Sequence, residues 1–431
     1  MSTASLSFDQ APPISVPLRF FLAAPWFGVL AAAVLALAGP PSLASRWHPA
    51  LIAATHLITL GALALCMIGA LIQMLPVVAG AVIRTPVALA WAIHLPLVLG
   101  ILLLAAGFAL GWNLLLVAAL PLLALALFGF AAVALKALAS AAAANATVTA
   151  MRLALLALTV TAGLGLFAAW TYAGHTTLPL PPLADIHLAW GLLGWIGILV
   201  VGVAYQVVPM FQLTPPYPVL ITKSLTWLLA AALMGLSLGH WPGMEMVRTG
   251  AALVLCAAFV VFAGTTLRLQ RRRRRRLPDV TLRLWRLAML SLLAAAAVWL
   301  LGIPTQESTT RSVVLGILWL IGFAWSAVNG MLYKIVPFLV WLHLQNLGPP
   351  PGSIPNMKQM IPDHVARHQA LAHETALVCL LAACFLPLFF YPALIAAALS
   401  FALAGRNLLS AWHCYRHHAA RLTEEKEACR P

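Results

Sequence analysis

Thirteen histidines are spread through 431 residues. Neutral imidazole is a side chain that ligates haem iron, copper and zinc. His56 and His187 are the leading pair. Each opens an apolar run, twenty residues before Pro76 and twenty-two before Pro209. A polar group in such a run is costly in lipid, so it faces protein and commonly serves function. From two helices the pair could hold one haem iron or one copper from opposite sides. His175 and His240, near the ends of neighbouring runs, could complete a copper or zinc set. For each of these, and for His48, the plainer reading is an interfacial ring hydrogen-bonded to backbone.

The remaining histidines carry weaker patterns. His94, two residues before Pro96, reads as a helix-packing residue. His364, His368 and His373 follow at spacings of four and five beside Glu374. His364 and His368 share a helix face and could bind zinc or copper, but further ligands are missing nearby in sequence. His413-Cys414 and His417-His418 suit an interfacial amphipathic end. A second set is polar rather than ligating. Gln73, Gln206 and Lys334 each stand three residues before a proline. They converge with Tyr205 and Tyr333 on a central polar pocket, or Lys334 snorkels to the surface. Trp190, Trp195, Trp319 and Trp325 could stack near a porphyrin or simply pack.

The elements that must position these residues are membrane helices. The chain is 63% hydrophobic and 8% charged, against about 25% charged in a soluble domain. Mean hydropathy is +0.98. This composition excludes a soluble enzyme, a disordered chain and a disulfide scaffold. The six cysteines form no CxxC, and Cys66 and Cys256 fall in apolar runs. Twelve spans are predicted at about 18–38, 50–78, 86–108, 111–135, 150–173, 184–212, 220–239, 246–267, 284–303, 312–342, 370–388 and 391–412. The segment before Arg19 reads as a short tail rather than a signal peptide.

Net charge is +15, which the positive-inside rule explains better than nucleic-acid binding. With the N-terminus inside, the even-numbered connections hold Arg84, Lys136, Arg152, Lys223, Arg268, the run Arg271 to Arg276, Arg283, Arg286, Lys358 and Arg367. The tail adds Arg416, Arg421, Lys426 and Arg430, whereas the other side has Arg46, Arg248 and Arg311. Both termini are therefore expected in the cytoplasm, with the arginine run as a topology anchor.

The chain also repeats itself. Gly69, Gln73 and Pro76 recur as Gly202, Gln206 and Pro209, and as Gly330, Lys334 and Pro337, always with glycine seven residues before proline. The prolines are 133 and 128 residues apart, and each interval holds four spans. Repeats of roughly 18–140, 150–270 and 284–415 follow. The expected fold is all-α, a polytopic membrane protein of about twelve helices in three pseudo-symmetric four-helix arcs. Its second, sixth and tenth spans would line the centre.

Twelve spans with this signature on the second, sixth and tenth resemble the haem-copper oxidase subunit I superfamily, which includes the cytochrome oxidases and the nitric oxide reductase large subunit. NnrS-type haem membrane proteins, linked to nitric oxide metabolism, look like a second relative. The resemblance implies three four-helix arcs and a low-spin haem between helices 2 and 10, and it places His56 at a haem-ligand position. Three departures matter. Leu315 and Ile317 stand where helix 10 should carry its His-x-His pair. Span 7 has no histidine before His240 at its far end. Span 6 begins His187-Leu-Ala-Trp190-Gly without the usual motif. The usual oxygen-reducing haem-copper centre cannot be built from these residues.

The expectation is a haem-binding membrane protein, with copper as a further option. It would act in respiratory electron transfer or in nitric oxide or oxygen handling, with enzymatic activity left open. It would sit in a bacterial-type inner membrane, with the lipid bilayer as partner, a cytochrome or respiratory subunit as a further one, and no nucleic acid. The alternatives are a small-solute or anion transporter or channel using the central pocket, and a cofactor-free assembly partner of a respiratory complex.

Overall fold

The computed structural model describes residues 8–141, 145–274, 277, 279–303, 308–350 and 352–428. Arg275, Arg276, Pro351, Cys429 and Arg430 lie outside the described residues, and the side chain of Lys426 is likewise not described. Lipid offers no hydrogen-bond partners, so a chain this apolar must satisfy its backbone within helices. Twelve long helices result: α1 (Ser15–Ala38), α2 (Pro49–Ala79), α3 (Pro86–Leu110), α4 (Asn113–Ala139), α5 (Ala146–Tyr172), α6 (Leu180–Gln212), α7 (Val219–Leu238), α8 (Glu245–Arg271), α9 (Val280–Gly302), α10 (Thr309–Gln345), α11 (Asp363–Ala383) and α12 (Phe390–Ala428). The chain is an all-α polytopic membrane protein.

Neighbouring helices pack in chain order within α1–α4, α5–α8 and α9–α12. The three groups are joined where α4 meets α5, α8 meets α9 and α12 returns to α1. Helices α2, α6 and α10 are the most buried of the spans. The lower half of each packs on the first helix of its own group by one shared device. Gly69, Gly202 and Gly330 abut Phe20 of α1, Ala150 of α5 and Leu284 of α9. A second glycine lies eight residues earlier in each helix: Gly61, Gly194 and Gly322. These abut Phe27, Ala157 and Ser291, one heptad after the first set. A Cβ at any of the six would meet the facing helix, so only glycine permits the approach.

Each central helix also changes its winding at one level. Leu57–Ala64, Trp190–Ile198 and Leu318–Trp325 are π-helical. All three begin nineteen residues before Pro76, Pro209 and Pro337 respectively. The stretch in α10 touches those in α2 and α6, so the three widened segments meet at the centre. Such turns are rare and concentrate at functional sites.

Two helices differ from their expected spans. Eleven of the twelve are long and apolar enough to cross a membrane. The exception, α11, carries Asp363, Arg367, Glu374 and three histidines in its first twelve residues. Its buried polar groups are met by its neighbours. Asn329 of α10 donates to Gln369, Gln369 donates to Ser400 of α12, and His373 shares a 2.7 Å hydrogen bond with Ser326 of α10. α12 runs 39 residues, about 58 Å, and so continues well beyond the roughly 30 Å hydrocarbon core.

Lys334 finds its partner in the repeat. Asn145 caps α5 and Asp279 caps α9, each accepting from a backbone N–H three residues on. They hold equivalent places, five residues before Ala150 and Leu284. Lys334 Nζ lies 2.9 Å from Asp279 Oδ2. The third group thus pairs Lys with Asp where the second has Gln206 and Asn145. We expect Lys334→Gln alone to lower stability by about 1–3 kcal/mol, because it takes the Lys334 cation from a mostly buried carboxylate. Adding Asp279→Asn recreates the second group's residues and should recover most of that loss in a detergent thermal melt.

Candidate cofactor site

α2 begins with His48 as its cap, accepting from Ala50 N, and Pro49 at the first helical position. This start places His56 at the last residue before the π-helical stretch. His187 stands three residues before the corresponding stretch in α6. Although they belong to different groups of helices, the two rings meet. Their centroids are 6.2 Å apart and their planes differ by 16°.

Both rings are oriented from behind by backbone carbonyls. His56 Nδ1 lies 2.8 Å from Ile52 O, and His187 Nδ1 lies 3.0 Å from Thr161 O of α5. A carbonyl only accepts, so each neutral ring carries its proton on Nδ1 and presents the Nε2 lone pair. A second-shell acceptor of this kind fixes the tautomer in metal-ligating histidines. Gly165 of α5 makes room for the second ring, because a Cβ there would fall 2.6 Å from His187 Cε1.

Aromatic groups enclose one side. Phe108, at the end of α3, stacks on His56 at 5.7 Å, and Tyr172 of α5 meets Phe108 edge-on at 5.1 Å. Phe108 is held there by the turn at Gly111, whose φ of 68° suits glycine. An ion pair links the entries of the two helices: Arg46 Nη1 lies 2.7 Å from Asp185 Oδ1, two residues before His187. Both side chains are more than a third exposed (35% and 39%), so the pair contributes at most about 1 kcal/mol and serves chiefly to fix register. The π-helical stretches also hold three buried indole N–H groups without a hydrogen-bond partner among the described residues, those of Trp195, Trp319 and Trp325. Trp190 instead donates to Ser237 of α7.

The other expected ligands have contacts of their own. His175 stacks on Trp170 at 3.9 Å in the exposed turn after α5. His240 Nδ1 lies 3.0 Å from Leu236 O, and its ring borders an open groove of about 380 Å³ with Ile186 and Trp241. Among the described residues, no three His, Cys, Asp or Glu side chains come together as a metal-binding group. His364 and His368 are exposed neighbours, whereas His373 is buried against Ser326. His94 packs edge-on against Phe20.

The central polar set is likewise divided among different partners. Lys334 pairs with Asp279, and Tyr333 accepts from Asn407 of α12 at 2.9 Å. Tyr205 reaches Ile221 O at 3.5 Å and meets Tyr217 edge-on. Gln73 is buried with Oε1 unpartnered among the described residues, and Gln206 is half-buried.

Sequence reasoning missed Thr161, Gly165, Phe108, Arg46 and Asp185. One signal was present: Asp185 is one of only ten acidic residues and lies two before His187. Arg46 is one of the three basic residues assigned to the same side. With the six native cysteines replaced, Arg46→Cys and Asp185→Cys should cross-link efficiently with a short bis-maleimide, seen as a mobility shift after cleavage between α2 and α6. Efficient linkage of Arg248→Cys to Asp185→Cys instead would contradict the placement. No protein-family model matches the chain, and no curated protein matches it in sequence.

Proposed function

We propose that the chain is a haem-binding membrane protein in which His56 and His187 ligate one iron through Nε2. The observation that carries this reading is the pair itself: two near-parallel imidazoles 6.2 Å apart, each anchored by Nδ1 on a carbonyl. Bound haem supplies a one-electron redox couple.

The chain's own residues do the rest. Ile52 and Thr161 carbonyls raise the basicity of the two rings and fix their tautomer. Phe108 and Tyr172 restrict water on the His56 side. Held by both imidazoles, an iron would be suited to electron transfer rather than gas reduction; nitric oxide or oxygen handling would require one ring to give way. The resemblance to the haem-copper oxidase superfamily agrees in the helix 2 ligand and differs in the second, here on α6 rather than α10. The asymmetry of the basic residues supports an orientation with both termini inside a bacterial-type plasma membrane and the histidine pair toward its outer side. A cytochrome or respiratory subunit on that side is the proposed electron partner.

The test is optical spectroscopy of the purified protein, oxidised and dithionite-reduced, with iron and copper analysis of the same sample. A low-spin Soret spectrum should vanish in His56→Ala and weaken or turn high-spin in His187→Ala. Well-folded protein grown with haem available but lacking both haem and copper sinks the proposal. Gly165→Leu, which drives a side chain into the His187 ring, should reproduce the His187→Ala spectrum without replacing a ligand.

A further inference from the structure

Away from the histidine pair, α9 and α11 enclose a groove of about 310 Å³ lined by Leu282, Arg283, Arg286, Leu287, Leu290 and Glu374. Its chemistry changes with depth. Arg283, Arg286, Leu287 and Leu290 stand at i, i+3, i+4 and i+7, so they form one stripe along α9. The arginines lie in the first turns, and Leu290 is roughly 10 Å further along the axis than Arg283. Leu371, Glu374 and Val378 form the facing stripe of α11 by the same spacing. Leu290 and Val378 are 57% and 66% exposed, which places apolar surface toward the bilayer below the charged mouth.

The charges at the mouth do not cancel. Glu374 takes Arg283 in a bidentate pair through Nε and Nη2. A carboxylate so engaged has given its charge to one guanidinium. Arg286 is exposed and has no hydrogen-bond or ion-pair partner among the described residues. One uncompensated guanidinium therefore stands above a strip of leucine. Fixed monoanionic charge above a hydrocarbon tail is the complementary shape. We propose that this groove is a binding site for one anionic phospholipid, with its phosphate on Arg286 and an acyl chain along Leu287, Leu290 and Val378. Basic pockets between membrane helices at headgroup level recognise anionic lipids on this principle. Arg272, Arg273 and Arg274, just before α9, bias the surroundings in the same direction.

The test is lipid retention by the full-length protein in nanodiscs of mixed phosphatidylglycerol and phosphatidylcholine, read by native mass spectrometry after detergent extraction, with a thermal melt of each variant. Wild-type protein should retain one phosphatidylglycerol in preference to phosphatidylcholine. Arg286→Gln should cut that retention about fivefold, whereas Arg84→Gln, an exposed arginine in the connection between α2 and α3, should not. Glu374→Gln releases Arg283 to the mouth and should raise retention. Equal retention by Arg286→Gln and wild type overturns the site, as does equal retention of the two lipids. Displacement by inorganic phosphate alone overturns the lipid assignment in favour of a free-phosphate site. Because Arg286→Gln leaves the surroundings of His56 and His187 intact, its outcome is independent of haem content.

Discussion

Hydrocarbon accepts no hydrogen bonds, and that constraint governs this protein. With 8% charged residues, nearly all of the chain can be buried in lipid as helix, and a polar side chain that enters a span gains by finding a partner in its own helix or in another span. The partners are specific. Lys334 goes to the cap of α9, Gln369 and His373 of α11 go to α10 and α12, and Tyr333 goes to Asn407. Polar α11 sits in the bundle because these bonds replace the water it would otherwise require.

Between lipid-like helices there is little hydrophobic drive for association, so close packing must supply it. The six repeated glycines do this at three equivalent interfaces. They bring α2, α6 and α10 against α1, α5 and α9 and leave the central helices facing one another. The π-helical stretches are the other feature of that centre. A wider turn is a less favourable winding than an α-turn, and its appearance three times at one level indicates that the bundle imposes or uses it. It also changes which way every residue beyond it faces. His56 and His187 stand at unequal distances from their prolines, twenty and twenty-two residues, yet meet ring to ring beyond these stretches.

The histidine pair shows how a site arises from two helices that are not sequence neighbours. Each ring is prepared locally, by a carbonyl behind it and a glycine or phenylalanine beside it. The junction between the two is made by the wider bundle, with the Arg46–Asp185 pair holding the helix entries in register. Of the two histidines that the sequence places near the same ends, His175 stacks on Trp170, and His240 is anchored by Nδ1 on the carbonyl of Leu236, as His56 is on that of Ile52.

Composition alone determined the membrane class, since no soluble core could absorb so many apolar residues. The Gly-x6-Pro signature determined which three helices are equivalent, because it reports a local close approach that recurs wherever the same contact is made. The earlier glycines, Gly61, Gly194 and Gly322, were equally legible at a fixed spacing. Histidine type and position pointed to His56 and His187 for the same reason: an imidazole is expensive in an apolar run. What the residues could not decide was facing. A polar pocket of Gln73, Gln206 and Lys334 follows from equal spacing, but spacing does not reveal that an aspartate capping α9 would claim the lysine. Nor does it reveal the π-helical winding, which depends on how three helices press together. The meeting of two imidazoles, the carbonyl of Thr161 and the space above Gly165 come from three separate helices, and only their packing brings them to one place.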